Sequence, residues 1–300
     1  MVQADEPYDL VIGDEAWDID FFWHENLELK TTSFAWMTDF VGWLPMPDGG
    51  EPEQRLTADC NLEMIEQRAR FKRVRDRSIF VGDPDDVVPD SFGPDLPGIR
   101  EWTIANFDFS GYVTGFDPVD PGERDQLRAE LGFDARPVYV VTVGGTGVGT
   151  ALLDKVIAAF LQAAAAVPGL RMVVVTGPRI DPGSISPIPG LEVHGYLPRL
   201  YRWLAACDIA VVQGGLTTCM ELTANQRPFL YFPLGHHFEQ TYHVAHRLDR
   251  CGAGRRMNYQ TTTPSDIAEA IAADLQRTVT YRPVETVGAA RAAHLLSELL

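Results

Sequence analysis

Positive charge is scarce in this chain of 300 residues: 25 Lys and Arg face 42 Asp and Glu, for a formal net charge of −17. That balance opposes nonspecific attraction to nucleic acid, and no nucleic-acid partner is expected. Long hydrophobic runs are lacking as well. Nothing approaches the roughly eighteen apolar residues of a membrane-crossing helix, and no basic segment leads into an apolar one as in a secretory signal. The four cysteines, Cys60, Cys207, Cys219 and Cys251, show no paired C-x-x-C spacing. Cys207 and Cys219 fall in segments that read as buried, which fits a reduced compartment and a cytoplasmic location. Internal repeats and long low-complexity tracts are missing too. What remains is an acidic globular chain, long enough for two domains with sizeable cores.

The most informative stretch runs from Asp208 to Gln240. Ile209–Val212 is continuously apolar, as expected of a parallel strand buried on both faces, and it stops at Gly214–Gly215. Thr217, Thr218 and Glu221 then open a helix, whose first amides have no intrahelical partner. An anionic group placed there meets free N–H donors and the positive end of the helix dipole. The helix ends near Asn225, before Pro228. A second buried strand, Phe229–Phe232, stops at Pro233 ahead of a turn carrying His236, His237, Glu239 and Gln240.

The pattern Gly214–Gly215, Thr218, Glu221, Pro228, Pro233 and Glu239–Gln240 resembles the donor-nucleotide motif of GT-B glycosyltransferases, namely UDP-glycosyltransferases and the glycosyl transferase family 28 C-terminal domain. The resemblance covers about residues 137–275 and is weaker over 1–115. It implies an α/β, GT-B-like fold with a Rossmann-like donor domain. It also implies a metal-independent, inverting hexosyl transfer from a nucleotide sugar, with UDP-sugar as donor and no cofactor. It puts Glu221 on the ribose hydroxyls, Glu239–Gln240 on the donor sugar and Gln213 beside the diphosphate, where many family members carry His or Arg. Read from the residues alone, Thr218-x-x-Glu221 is also a capping box, in which Glu221 serves only the helix.

A second glycine cluster follows the apolar run Pro137–Val143: Gly144, Gly145, Thr146, Gly147 and Gly149, before a helical pattern over Leu152–Val167 and a returning strand at Arg171–Thr176. A dinucleotide fingerprint would need a third glycine at Thr150 and an acidic ribose ligand after the second strand, and neither is present. By resemblance Gly144, Gly145 and Thr146 face the donor diphosphate; a packing turn between helix and sheet is the alternative. Leu191–Pro198 reads as a short strand of the same sheet. In the family this segment lies against the nucleobase, so Tyr196 or the backbone of Leu197 would recognise a uracil, unless Tyr196 is ordinary packing.

The Pro/Gly/Asp-rich stretch around Gly115–Gly122 marks a boundary. The expected organisation is a partial acceptor-side domain over 1–115, a linker with a short helix over 116–136, and a nucleotide-sugar domain over 137–300 whose last helix packs back on the first domain. Strands are expected at Tyr8–Ile12, Thr31–Ala35 and Ser78–Val81, with a helix over Leu62–Arg77. The first domain is short of several βα units of a GT-B transferase, which predicts a fragment, a partner polypeptide or self-association. Asp14, at the carboxyl end of its strand, is the first candidate general base, with Asp39 and His24 behind it; each is alternatively a turn residue or cap. Glu239, His243 and His246 share one face of an ideal helix, so a metal-dependent hydrolase is the rival from another class. A binding module that keeps the nucleotide site without turnover is a third reading. Arg68, Arg70, Lys72, Arg73, Arg75 and Arg77 read as a basic helix, a solvated face or a contact for anionic lipid or a lipid-linked acceptor.

Overall fold

The computed structural model describes residues 8–114, 117–145, 149–275 and 277–300. The chain divides into two compact units, Met1–Gly115 with Glu285–Leu300, and Phe116–Val284. Among the described residues no helix is long and apolar enough to cross a membrane.

The first unit runs β1 (Leu10–Asp14), α1 (Trp17–Glu25), β2 (Ser33–Thr38), α2 (Gly50–Arg70), β3 (Arg77–Phe80), α3 (Ile99–Asn106) and β4 (Asp108–Phe109). The four strands form one parallel sheet in the order β1-β2-β3-β4. Alternation is weak and apolar content high, as a parallel strand covered on both faces requires: Phe34, Ala35, Trp36, Ile79 and Phe80 are all buried. β1 stands at one edge, with Tyr8 and Ile12 48% and 51% exposed.

The helix expected over Leu62–Arg77 is corrected here. It spans Gly50–Arg70 and ends at Phe71, whose amide bonds the carbonyl of Gln67. The basic run is therefore not one helical face. Arg75 is buried and paired twice with Asp20, at 2.7 and 2.6 Å, while its guanidinium lies 4.4 Å from the Trp36 ring. Arg77 stands on β3, 2.8 Å from Glu298 and 3.4 Å from Asp108. Two of the six charges, Arg75 and Arg77, are thus paired inside the unit, so the six do not form one continuous basic stripe.

The second unit runs α4 (Arg124–Glu130), β5 (Val138–Thr142), α5 (Thr150–Ala166), β6 (Arg171–Val175), β7 (Leu191–His194), α6 (Leu200–Ala206), β8 (Ile209–Val212), α7 (Leu216–Ala224), β9 (Phe229–Tyr231), a π-helical turn (Glu239–Val244), α8 (Ala245–Cys251), β10 (Arg255–Arg256) and α9 (Pro264–Asp274). Its six strands are parallel, in the order β10-β9-β8-β5-β6-β7. Helix α10 (Gly288–Ser297) belongs to the first unit. Val141, Leu152, Val156, Phe160, Met172, Val174, Val211, Leu230 and Ile271 fill one continuous core. Cys207 and Cys219 are buried as free thiols. At the amino edge, Asp208 accepts hydrogen bonds from Arg124 (2.7 Å), Arg128 (3.0 Å) and the Val138 amide (2.8 Å), tying α4 to β5 and β8.

Candidate functional site

The strand order of the second unit fixes where a ligand goes. From β5 the chain moves outward through β6 and β7, then returns to the other side of β5 to lay down β8, β9 and β10. The order reverses between β5 and β8. In an open parallel sheet that reversal leaves a crevice at the carboxyl ends of the two strands. Here those ends are Gly144–Gly145 and Gln213–Gly215.

The glycines earn their place sterically. Gly214 has φ +88° beside the Pro233 backbone, and Gly144 has φ +77° with the Gln213 Oε1 4.0 Å from where its Cβ would stand. At Gly145 and Gly215 an added Cβ meets nothing within 4 Å, so both face open space. A side chain at Gly177, after β6, would collide with the Gly144 carbonyl, so the glycine loop is held from behind. Thr146 lies outside the described residues.

Helix α7 starts one residue earlier than the Thr217–Glu221 pattern suggested. Gly215 is its N-cap and supplies no side-chain acceptor. Thr217 and Thr218 sit in the first turn, so Thr218 is no cap and the capping-box reading of Thr218–Glu221 fails. The Glu221 carboxyl lies one turn in, half-buried, and among the described residues no hydrogen bond or ion pair reaches it. Burial pushes it up to about 7. Gln213 is similar in kind: it is 8% exposed, and its Nε2 is buried with no partner among the described residues. Buried polar groups are normally satisfied, so the open Gln213 amide stands out at the carboxyl end of β8.

Beyond β9, the Gln240 Oε1 accepts from the Leu234 amide at 3.1 Å and shapes the turn that carries His237. His237 Nδ1 is buried without a partner among the described residues, and burial holds its imidazole below the usual value. Glu239 is half-buried at the start of the π turn. That turn takes more residues than the 3.6 of an α-helix, so the i, i+4, i+7 coincidence of Glu239, His243 and His246 is lost. His243 is buried edge-on against Phe238, with ring centroids 6.1 Å apart. Among the described residues no group of three His, Cys, Asp or Glu side chains is disposed to hold a metal. Tyr196 follows β7 and is 77% exposed, a free ring rather than packing, whereas Leu197 is buried.

The first unit carries the other candidates. Asp14 is exposed at the carboxyl end of β1. His24 is buried on α1 with its Nδ1 2.7 Å from the Asp20 carbonyl, an anchored core histidine rather than a base. Sequence reading missed Glu15. It sits at φ +50°, its Oε1 is 2.9 Å from Thr38 Oγ1, and burial together with the Asp39 carboxylate pushes it up to about 7. The adjacent pair Asp14–Glu15 at the end of an apolar strand was the available signal.

The model of the glycosyltransferase family 28 C-terminal domain matches residues 139–295, from β5 into α10. The chain belongs to that family. A Methanosarcina mazei protein described as an uncharacterized glycosyltransferase is 31% identical over 181 residues, covering 58% of this chain and 45% of that protein. A UDP-N-acetylglucosamine–N-acetylmuramyl-(pentapeptide) pyrophosphoryl-undecaprenol N-acetylglucosamine transferase of Clavibacter michiganensis is 34% identical over 113 residues, covering 37% of this chain and 29% of that one. The matched region thus spans less than half the length of these curated relatives. Among solved structures, the spinosyn rhamnosyltransferase SpnG with thymidine diphosphate superposes with a TM-score of 0.55 at 16% identity, over 99% of this chain and 70% of that one. The glycosyltransferase VinC with dTDP does so at 0.55 and 17%, over 99% and 73%. The fold of this family 28 chain is accordingly GT-B-like, with a Rossmann-like second unit.

Proposed function

We propose that this chain transfers a hexosyl group from a UDP-sugar to an acceptor, with inversion and without a metal ion. The observation that carries the reading is the crevice between β5 and β8, where two glycine turns, an uncapped helix start and the unpartnered Gln213 amide converge. The diphosphate lies against Gly144, Gly145, Thr146, Gly214, Gly215 and the first turn of α7 at Thr217 and Thr218. There, backbone donors stabilise the charge that develops on the leaving group. Gln213 donates from Nε2, Glu221 accepts from the ribose hydroxyls, Glu239 and Gln240 meet the sugar, and Tyr196 with Leu197 meets the uracil. A carboxylate that accepts from two ribose hydroxyls favours uridine over a deoxyribose nucleotide such as the one bound in SpnG.

On the acceptor side, Asp14 or Glu15 takes the proton of the attacking hydroxyl; a carboxyl raised to about 7 is well matched to a base at neutral pH. The exposed Tyr8 and Ile12 at the β1 edge favour a partner polypeptide or self-association, and the reduced thiols favour the cytoplasm. Calorimetry with UDP, UMP and dTDP in chelator tests the reading. UDP binding tighter than both is expected; absence of binding by all three removes it. UDP binding with no transfer to any acceptor, even when a partner is supplied, leaves a nucleotide-sugar-binding module.

A further inference from the structure

The turn that follows β9 carries a titratable side chain to which the donor motif gives no role, His237. The turn adjoins the crevice through its first residue: the Pro233 nitrogen stands 3.4 Å from where a Cβ on Gly214 would be. From there the turn is stitched to itself. The Leu234 amide donates to Gln240 Oε1 at 3.1 Å, the His237 amide to the Leu234 carbonyl at 3.3 Å, and the Thr241 amide to the His237 carbonyl at 2.9 Å. Both backbone groups of His237 are thus committed, and its Cα–Cβ direction is held by them.

The two nitrogens of the ring differ. Nδ1 is buried without a partner among the described residues, whereas the residue as a whole is only half-buried, so the edge carrying Nε2 is the open one. A neutral imidazole has one N–H and one lone pair, and a buried N–H left unmade is costlier than an unused lone pair. The proton therefore belongs on Nε2. Ionisation would put a second N–H on the buried Nδ1, and burial does hold this imidazole below its usual value. His237 is then an uncharged donor with its single N–H turned outward, suited to an uncharged oxygen rather than to a diphosphate.

We infer that His237 selects the sugar of the donor, its Nε2–H donating to an uncharged sugar oxygen, either a hydroxyl or the carbonyl of an acylamino group. The inference rests on the donor reading and adds to it a residue that acts on the sugar and not on the nucleotide.

Calorimetry on the full chain with UDP, UDP-glucose and UDP-N-acetylglucosamine tests it. His237→Leu should leave UDP affinity within about twofold and weaken the tighter nucleotide sugar by about tenfold, the loss of one neutral hydrogen bond. His237→Gln should recover most of that loss, because its Nε2 reaches the place of the imidazole Nε2. His237→Asn, whose carboxamide stops at the Nδ1 position, should not. A loss shared by both sugars assigns a hydroxyl; a loss confined to UDP-N-acetylglucosamine assigns the acyl carbonyl. In the free protein, nitrogen NMR of the imidazole near neutral pH should find the proton on Nε2. A fall in UDP affinity as large as that for the sugars, Gln and Asn variants that behave alike, or a proton on Nδ1 would each overturn the assignment while UDP still binds. Absence of UDP binding to the unmodified chain would instead remove the donor reading, and this inference with it.

Discussion

The two edges of the six-stranded sheet treat polar groups in opposite ways. At the amino edge, Asp208 is met by two arginines and a backbone amide, and Arg128 adds bonds to the carbonyls of Ala206 (2.9 Å), Asp134 (2.9 Å) and Arg136 (3.0 Å). At the carboxyl edge, Gln213 and Glu221 are buried or half-buried with polar atoms that nothing among the described residues satisfies. One edge has spent its hydrogen-bonding capacity on the fold; the other leaves part of it unused among the described residues. Substitutions should therefore divide cleanly, with amino-edge changes moving stability and carboxyl-edge changes moving affinity.

The largest effect is expected at the brace. Asp208→Ala leaves two mostly buried guanidiniums without their carboxylate and should cost about 3 kcal/mol, at the low end for a buried pair because the Asp208 side chain is 23% exposed. A melting temperature lower by about 10 °C, with UDP affinity unchanged in the folded protein, is the outcome to look for. Next comes Glu221→Gln. Loss of a charged acceptor should weaken UDP binding by about 1–3 kcal/mol, read by calorimetry, with no loss of stability.

The pH dependence of that pair sharpens the contrast. Burial raises the folded-state Glu221 to about 7 from an ordinary 4.5. Its contribution to stability is fully present below 4.5 and is lost as pH rises through about 7. Donor binding should run the other way, strengthening from pH 6 to pH 8 as the carboxylate forms, and that slope should be absent in Glu221→Gln. Glu15 carries a shift of the same sign in the first unit, so the variant should flatten only part of the stability curve. A smaller effect is expected from Gln213→Leu. UDP affinity should fall by about 1 kcal/mol while chemical denaturation shows stability unchanged or slightly higher, because an unsatisfied buried amide has been removed. Smallest of all, Thr218→Ala should alter stability by less than about 0.5 kcal/mol, since Gly215 rather than Thr218 caps the helix.

Apolar runs made the central strands legible. Val138–Thr142, Arg171–Val175 and Ile209–Val212 are short, β-branched and bounded by glycine, and nothing local competes with that pattern. The glycine turns were legible for the same reason. Three things were not. The start of α7 turned on whether Leu216 lay inside or outside the helix, and spacing alone read Thr218–Glu221 as a cap. The run from Arg68 to Arg77 looked helical because Arg75 finds its partner Asp20 at a separation of 55 residues, which no local window contains. Strand β4 is two residues long and carries no periodicity at all. Glu15 went unnoticed because its raised carboxyl depends on burial and, after that, on Asp39, and both arise only when β1 pairs with β2.

The strand order also governs how the unit can assemble. Because every strand pair is parallel, none closes through a tight hairpin. Val138 meets Arg171 across 33 residues of chain, whereas Tyr139 meets Ile209 across 70. The longer closure costs only about 0.7 kcal/mol more in loop entropy, so the order of events is set less by thermodynamics than by synthesis. On a ribosome β5 emerges well before β8 and carries one edge of unpaired N–H and C=O groups until residue 212 has been made. Through that interval the nascent chain presents a template for any other extended segment, and the β5–β8 pairing that leaves the crevice at its end also closes that edge.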